Sequence, residues 1–459
     1  MLSHASRVSS QDSSANRLRP RRSLLRRTLP PLLALGALAA CLPAGASAET
    51  VPTIPTSCTK YASPSGSDSA PGTAAAPLRS AQALSDALAA GQVGCLEAGA
   101  YGGGLRVNHG GAAGAPIVLR SNPGETALIT GRVLIPQGSN YVTIADLSLD
   151  GNGQSGRQLP SPSIDAKHTA FVADNVTNDH TEICFSVGSA GWGAADSTVI
   201  ADSHIHDCGL LPSRNEDHGI YVDDATNTLI VGNLIDRNAD RGVQLFPNAV
   251  GTVITENVIS ENGEGIIFSG EGSTSSNDNT VEHNLIVKSL IRSDVESWYP
   301  SGTPLGVGNV VRNNCVSSRG ISIGVGGFSA SANVTASASE LIATEEGGYR
   351  AAPGSSCASV FSATGFEGAP SGGAPTPVGK EAGGGTPSPT PEPPAGTAPT
   401  EAPGGAPTEA PTGGTGQPPT EAGGTPPPTH GPKHGHRRHH GHAAARHAHT
   451  RASAARRRH

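Results

Sequence analysis

Residues 227–268 read NTLIVGNLIDRNADRGVQLFPNAVGTVITENVISENGEGIIF, and the second half repeats the phrase of the first, 24 residues on. Each copy holds two short β-branched runs broken by Asn and Gly. Neither run is long enough to form a sheet alone, so such units gain stability by stacking on their neighbours. The phrase extends in both directions. Leu147 is followed by Asn175, Ser203, Asn233, Asn257, Asn284 and Asn314, at steps of 28, 28, 30, 24, 27 and 30. A step of that size holding three short strands is one coil of a parallel β-helix.

The rest of the chain sorts around that core. Arg19, Arg21, Arg22, Arg26 and Arg27 precede an apolar run from Leu29 to Leu42 and a small-residue site ending at Ala48. Basic, apolar and small-residue segments in this order read as an export signal, and Arg21-Arg22 admits a twin-arginine route. Leu38-Ala39-Ala40-Cys41 resembles a lipoprotein cleavage box, so both free secretion and lipidation at Cys41, with retention at the cell surface, are expected outcomes. No other apolar run reaches the roughly 18 residues of a membrane span.

The boundaries follow as 1–48 for the signal, 49–104 for an N-terminal cap, 105–361 for the solenoid, 362–429 for a linker and 430–459 for a basic tail. Nine or ten coils are expected between Leu105 and Ile323. Leu78 to Ala90 has the chain's clearest helical pattern, with Leu84 and Leu88 at i,i+4, and would cover the open end of the first coil. Asn at the corners tolerates a left-handed backbone and can bond to an identical amide one coil away.

After about Ser362 the composition turns to Gly, Pro, Thr, Ala and Glu, which cannot bury enough apolar surface to offset ordering. His430 to His459 carries nine His, seven Arg and Lys433 without an acid. The body from Glu49 to Phe361 holds 15 Lys/Arg against 31 Asp/Glu, a formal −16. An acidic body argues against a specific nucleic-acid partner, whereas the tail fits an anionic cell-wall polymer or membrane surface. A monomer is expected.

Setting Cys41 aside, six cysteines remain. In an oxidising compartment an even set reads as disulfides. Cys184 and Cys208 lie 24 residues apart, about one coil, while Cys58/Cys95 and Cys315/Cys357 bracket the two ends.

With YASPSGSDSAPGT, APLRSAQAL, LEAGAY and the two repeat units in view, residues from Cys58 to about Phe328 resemble the bacterial right-handed parallel β-helix proteins. That superfamily is shared by pectate lyases, alginate lyases, polygalacturonases and C5-epimerases. The resemblance implies an all-β, right-handed, single-stranded parallel β-helix and a polysaccharide partner. It matches no catalytic signature residue by residue.

Stacking converts sequence offsets into distances, because neighbouring strands lie about 4.8 Å apart. Asp217-His218-Gly219-Ile220-Tyr221 aligns with Asp240-Arg241-Gly242-Val243-Gln244 and Gly263-Glu264-Gly265-Ile266-Ile267 at a step of 23. Alternation puts Ile220, Val243 and Ile266 inside and Tyr221 outside. The corner before the strand then carries a row His218, Arg241, Glu264 beside Asp217 and Asp240. For β-elimination on a uronate, Arg241 would bind the sugar carboxylate in a fork, with His218 as base, Tyr221 as acid and Glu264 in the same site. Asp217, Asp240 and Asp223 would hold Ca²⁺ through oxygens at roughly 2.3–2.6 Å.

Two other readings stand beside this one. A glycoside hydrolase would use Asp217 and Asp240 as a retaining pair about 5–5.5 Å apart, or Glu216 or Glu264 as a wider partner. A non-enzymatic envelope or carbohydrate-binding module would use the wall only as a platform, although Trp192 and Trp298 are the chain's two tryptophans. Rows of alternating charge also arise as solvated ladders worth about 0–1 kcal/mol per pair. A second row, Asp207, Arg237 and Glu261 with His206 and Asp236, fits that plainer account.

Overall fold

The computed structural model describes residues 49–345 and 347–361. The expected export signal with Cys41, the expected linker and the basic tail lie outside the described residues. Three parallel sheets wind along one axis. Sheet A holds eleven strands from Lys60–Ala62 to Ser329–Ser331, and sheet B ten from Gly99–Tyr101 to Val334–Thr335. Sheet C runs from Leu105–Arg106 to Ile321–Ser322, with Ala195–Asp196 attached at its side. Nine complete A–B–C turns run from Val93 to Ser322, so the stack begins two strands, Val93–Leu96 and Gly99–Tyr101, before Leu105, where the repeat pattern places it.

Apolar side chains at equivalent positions make the core. On sheet A, Phe171, Ile200, Ile230, Ile254 and Val281 follow one another in register, each fully buried. Ile220, Val243, Ile266 and Val295 do the same on sheet C, on the inward face that alternation assigns. Each such residue is worth about 1.5–3 kcal/mol of burial, but only because the next coil covers it.

The corners depart from expectation in an informative way. The amide ladder is real: Asn233 N–H donates to Asn257 Oδ1 at 2.9 Å, Asn257 to Asn284 and Asn284 to Asn314 at 3.0 Å, and Asn314 to Asn333 at 2.9 Å. Its earlier rung is Asp174 rather than Asn175, which pairs with Ser148 and His204 one position further along. The left-handed residue is also not the Asn but the one before it. Ala173, Asp202, Gly232, Glu256, His283 and Asn313 all have φ between 50° and 68°. The Asn side chain instead satisfies backbone groups that the corner leaves unpaired; Asn257 Nδ2, for example, donates to Ile230 O and Thr255 O.

The helix is shorter than the pattern suggests, Ala81–Ala87, with Ser80 Oγ accepting from Ala83 N–H at its start. Leu78 is extended instead, because its N–H pairs with Tyr61 O. Leu84 and Leu88 are buried and the helix packs on the first strands of sheets A and C. Cys58–Cys95, Cys184–Cys208 and Cys315–Cys357 form disulfides with Cα atoms 5.7, 5.6 and 5.2 Å apart, the three pairings the coil spacing ranks first.

Two of the three outer walls are dressed. Ile54 packs on Ala145, Ala170 and Val199 outside sheet A. The antiparallel hairpin Leu341–Ala343 and Tyr349–Ala351 folds back over Leu234, Val258 and Leu285 outside sheet B, pinned by Cys315–Cys357. This C-terminal segment therefore covers a side of the helix. The outer wall of sheet C carries the cleft described next.

Candidate active site

His218, Arg241 and Glu264 begin three successive strands of sheet C and stand opposite one another in register, as the 23-residue step requires. They are not a surface ladder: their exposures are 3%, 4% and 0%. A cleft of ≈ 360 Å³ opens over this row, with His218, Tyr221, Arg241, Gln244, Glu216 and Trp298 among its walls. Tyr221 and Gln244 sit side by side on the outward face.

Beneath the cleft lies a closed ring of four ions. Arg241 pairs with Asp240 at 2.9 Å and with Glu264 at 3.1 Å, and Arg292 pairs with Glu264 at 2.9 Å and with the other oxygen of Asp240. Two carboxylates and two guanidiniums make the ring formally neutral. Asn215 clamps Arg241 from above, accepting from Nη1 with its backbone oxygen at 2.9 Å and from Nη2 with Oδ1. Gln244 Oε1 also accepts from Nη1, at 3.3 Å. These bonds leave Arg241 an Nη2 N–H for a ligand rather than the expected fork. Its charge, held in place on every side, remains available.

Burial, then the nearby charges of Arg241 and Arg292, hold His218 well below the usual imidazole range. Its Nδ1 has no hydrogen-bond partner. The result is a neutral ring in the cleft wall whose Nδ1 is itself buried, with Gln244 and the Asp217 backbone beside the ring. Its centroid lies 5.6 Å from that of Tyr221. Burial, then Asp223, Glu271 and Glu216, pushes the Tyr221 hydroxyl up, so it remains a proton donor. Burial raises Glu264 to about 7, against the pull of Arg241 and Arg292, and its Oε1 is unpartnered. Glu264 lies behind Arg241 and does not line the cleft.

The expected calcium set does not come together. Asp217 is spent on the loop above it, with Oδ1 accepting from Leu210 N–H and Oδ2 from Arg214 N–H, both at 2.9 Å. Asp240 belongs to the ion ring. Asp223 lies beyond Tyr221 near a register shift, where burial first and then Asp224, Asp165 and Glu271 raise it to about 7. Among the described residues, no group of three or more His, Cys, Asp or Glu side chains is arranged to hold an ion. The same engagements remove Asp217 and Asp240 as a hydrolytic pair, since neither carboxylate faces the cleft.

The second row resolves as structure. Arg237 pairs with Asp207 at 3.3 Å and with Asp236, while Glu261 accepts instead from Tyr349 O–H at 2.7 Å. His204 and His206 bond to Asp236 and Asp207, at 2.8 and 2.6 Å. Beside it a hollow of ≈ 630 Å³ is lined by Lys288, Arg319 and Tyr349, but Arg319 is occupied by Leu290 O and Ile291 O.

Arg292, Asn215 and Trp298 escaped the sequence alignment. The coil from Ile266 to Val295 is longer than the two before it, so the 23-residue step passes over Arg292. Asn215 sits in a loop that no periodicity reaches.

Comparison with known proteins agrees with the architecture. Residues 133–293 match a family model described as a right handed beta helix region. The chain is 27% identical over 229 residues to the uncharacterized protein YwoF of Bacillus subtilis, covering 48% of this chain and 45% of that protein. It is 42% identical over 76 residues to pectate lyase PEL9 of Emericella nidulans, covering 16% and 18%. The chain thus spans less than half the length of these curated relatives. Solved structures similar to it include pectate lyase Pel9A, at TM-score 0.46 and 16% identity, covering 66% of this chain and 91% of that one. An alginate lyase from Paenibacillus sp. is similar at TM-score 0.43 and 20% identity, covering 55% and 91%. The chain folds as a parallel β-helix, and residues 133–293 match the right-handed kind. No specific activity is matched.

Proposed function

We propose that this is an exported carbohydrate-active protein that cleaves an acidic, uronate-containing polysaccharide by β-elimination in the cleft on sheet C. The observation that carries the reading is the neutral, unpartnered Nδ1 of buried His218 beside the fixed charge of Arg241 in the cleft lining. Elimination needs the substrate carboxylate neutralised, the adjacent C5 proton removed and the departing oxygen protonated. Arg241 supplies the charge. His218 Nδ1 takes the proton as the C5–H bond breaks, the C4–C5 double bond forms and the C4–O bond opens. Tyr221 O–H gives its proton to the leaving oxygen, and solvent exchange returns the proton from His218. Pectate lyase PEL9, named for that chemistry, is among the relatives, which supports the substrate class.

The body's formal −16 opposes an anionic polymer. Arg241 at the cleft and further arginines along the same wall offset that field locally. The three disulfides fit an oxidising destination, and no helix among the described residues is long and apolar enough to cross a membrane. Steady-state assays of His218→Gln and Tyr221→Phe on pectate and alginate test the assignment. Each is expected to lower kcat by about 10²–10⁴-fold, with the polymer still bound. Unchanged kcat in both would remove the site.

A further inference from the structure

The outward wall of sheet C continues well past the cleft. In register its row runs Leu134, Ser163, Ser186, Tyr221, Gln244 and Ile267. Just before Leu134's strand, Arg132 reaches over the wall, donating from Nη2 to Ser163 Oγ at 3.1 Å. Exposed Arg106 pairs with Leu134 one strand earlier. The indole of Trp192 lies above Arg132, with the guanidinium carbon 5.6 Å from the ring centroid.

Trp192 is held out to solvent by a tight turn, in which Ser189 N–H and Gly193 N–H each bond to the other residue's carbonyl at 2.9 Å. It is 59% exposed, an unusual place for so large an apolar ring. Trp298, 54% exposed, stands at the cleft rim at the other end of the wall. The chain's two tryptophans are thus both displayed along the one wall that carries the cleft. Five to six strand spacings of about 4.8 Å separate them, roughly 25 Å.

We propose that this wall is an extended binding groove for an anionic glycan lying along the helix axis, with a remote subsite formed by Arg132 and Trp192. The open face of the indole stacks on the apolar face of a sugar ring. Arg132, steered by Arg106, takes the carboxylate of a uronate about two strand spacings, roughly 10 Å, from Tyr221. A remote subsite of this kind aligns the chain and sets the register in which a linkage meets His218. The proposal rests on the reading of the cleft as a uronate site and adds where the rest of the polymer lies.

Because the chain holds only two tryptophans, each can report alone. The full chain carrying Trp298→Phe is titrated with pectate and alginate, and with their carboxyl-reduced neutral counterparts, while Trp192 fluorescence is followed. A saturable change with the acidic polymers and none with the neutral ones is expected. Arg132→Ala in that background should weaken it about tenfold or more. In the Trp192→Phe chain, Trp298 should respond to a uronate disaccharide as well as to polymer, whereas Trp192 should need the longer chain. A response at Trp298 with silence at Trp192 for every length would overturn the remote subsite and leave the cleft standing. Silence at both, or equal responses to neutral polymers, would overturn the uronate reading and this groove with it. Both side chains are exposed, so neither substitution disturbs the core.

Discussion

Arg241 and Glu264 meet across one coil with Nε and Oε2 3.1 Å apart, and Arg292 reaches the same oxygen from the next coil at 2.9 Å. The charge that faces the cleft is therefore fixed by carboxylates that do not line it. Removing Arg241 would leave Asp240 and Glu264, both 0% exposed, short of one counter-ion. Arg241→Ala is expected to destabilise the fold by about 3–5 kcal/mol. Adding Glu264→Gln should recover part of that loss, a coupling that urea unfolding of the double-mutant cycle measures. Additive losses would mean the ring does not act as a unit.

Mild acid should improve binding without loss of turnover. His218 is held well below the usual imidazole range, so it stays neutral below about 6.5, where an ordinary histidine is protonated. Glu264 titrates near 7. As pH falls through that value the ring gains one positive charge behind Arg241. KM for a uronate polymer should therefore fall between about pH 8 and 6 while kcat holds. In Glu264→Gln the KM should lose this pH dependence. Steady-state profiles of both proteins check it.

Asp174 occupies a rung of the amide ladder that asparagine fills five coils in a row, from Asn233 to Asn333. It is fully buried, Oδ1 accepts from Leu147 N–H and Oδ2 has no partner. Burial raises its carboxyl well above 3.8. A raised carboxyl means that this group's contribution is fully present below about 3.8 and is lost as pH rises above it. An amide has no charge to bury, and its N–H₂ would face Ile144 O as Asn233 Nδ2 faces Ile200 O. Asp174→Asn should stabilise the protein at pH 7 by about 1–2 kcal/mol and flatten its stability between pH 4 and 7. Urea midpoints across that range decide.

The Cys184–Cys208 bridge closes a 24-residue loop that contains one full coil. Replacing both residues with alanine should cost about 3 kcal/mol, chiefly by freeing the unfolded chain. The loss should appear as a lower urea midpoint with the far-ultraviolet spectrum retained, since the neighbouring coils still stack.

The fold was legible because a solenoid writes its geometry as a period. The row His218–Arg241–Glu264, the inward Ile220, Val243 and Ile266, and the Cys184–Cys208 pair all follow from counting one coil. Counting gives adjacency but not depth. It could not show that the row is buried, that Asp217 turns to a loop backbone, or that Asp240 is paired twice over. Those depend on loop 209–217 and on Arg292, which sit in stretches of irregular length. The corner chemistry misled for a related reason. Asn is abundant there, yet the left-handed residue is its neighbour, and residues as different as Ala173, Glu256 and His283 fill it. A position whose backbone is dictated by its surroundings leaves no residue preference to read.

The central claim is tested most directly by the chemistry of the product. The protein is incubated with pectate, alginate and glycosaminoglycans, with and without calcium, while ultraviolet absorbance and reducing ends are followed together. Elimination in the sheet C cleft predicts unsaturated uronate absorbance rising in step with new reducing ends on at least one acidic polymer, and its loss in His218→Gln. Reducing ends without that absorbance, or no product from any acidic polymer, would contradict it.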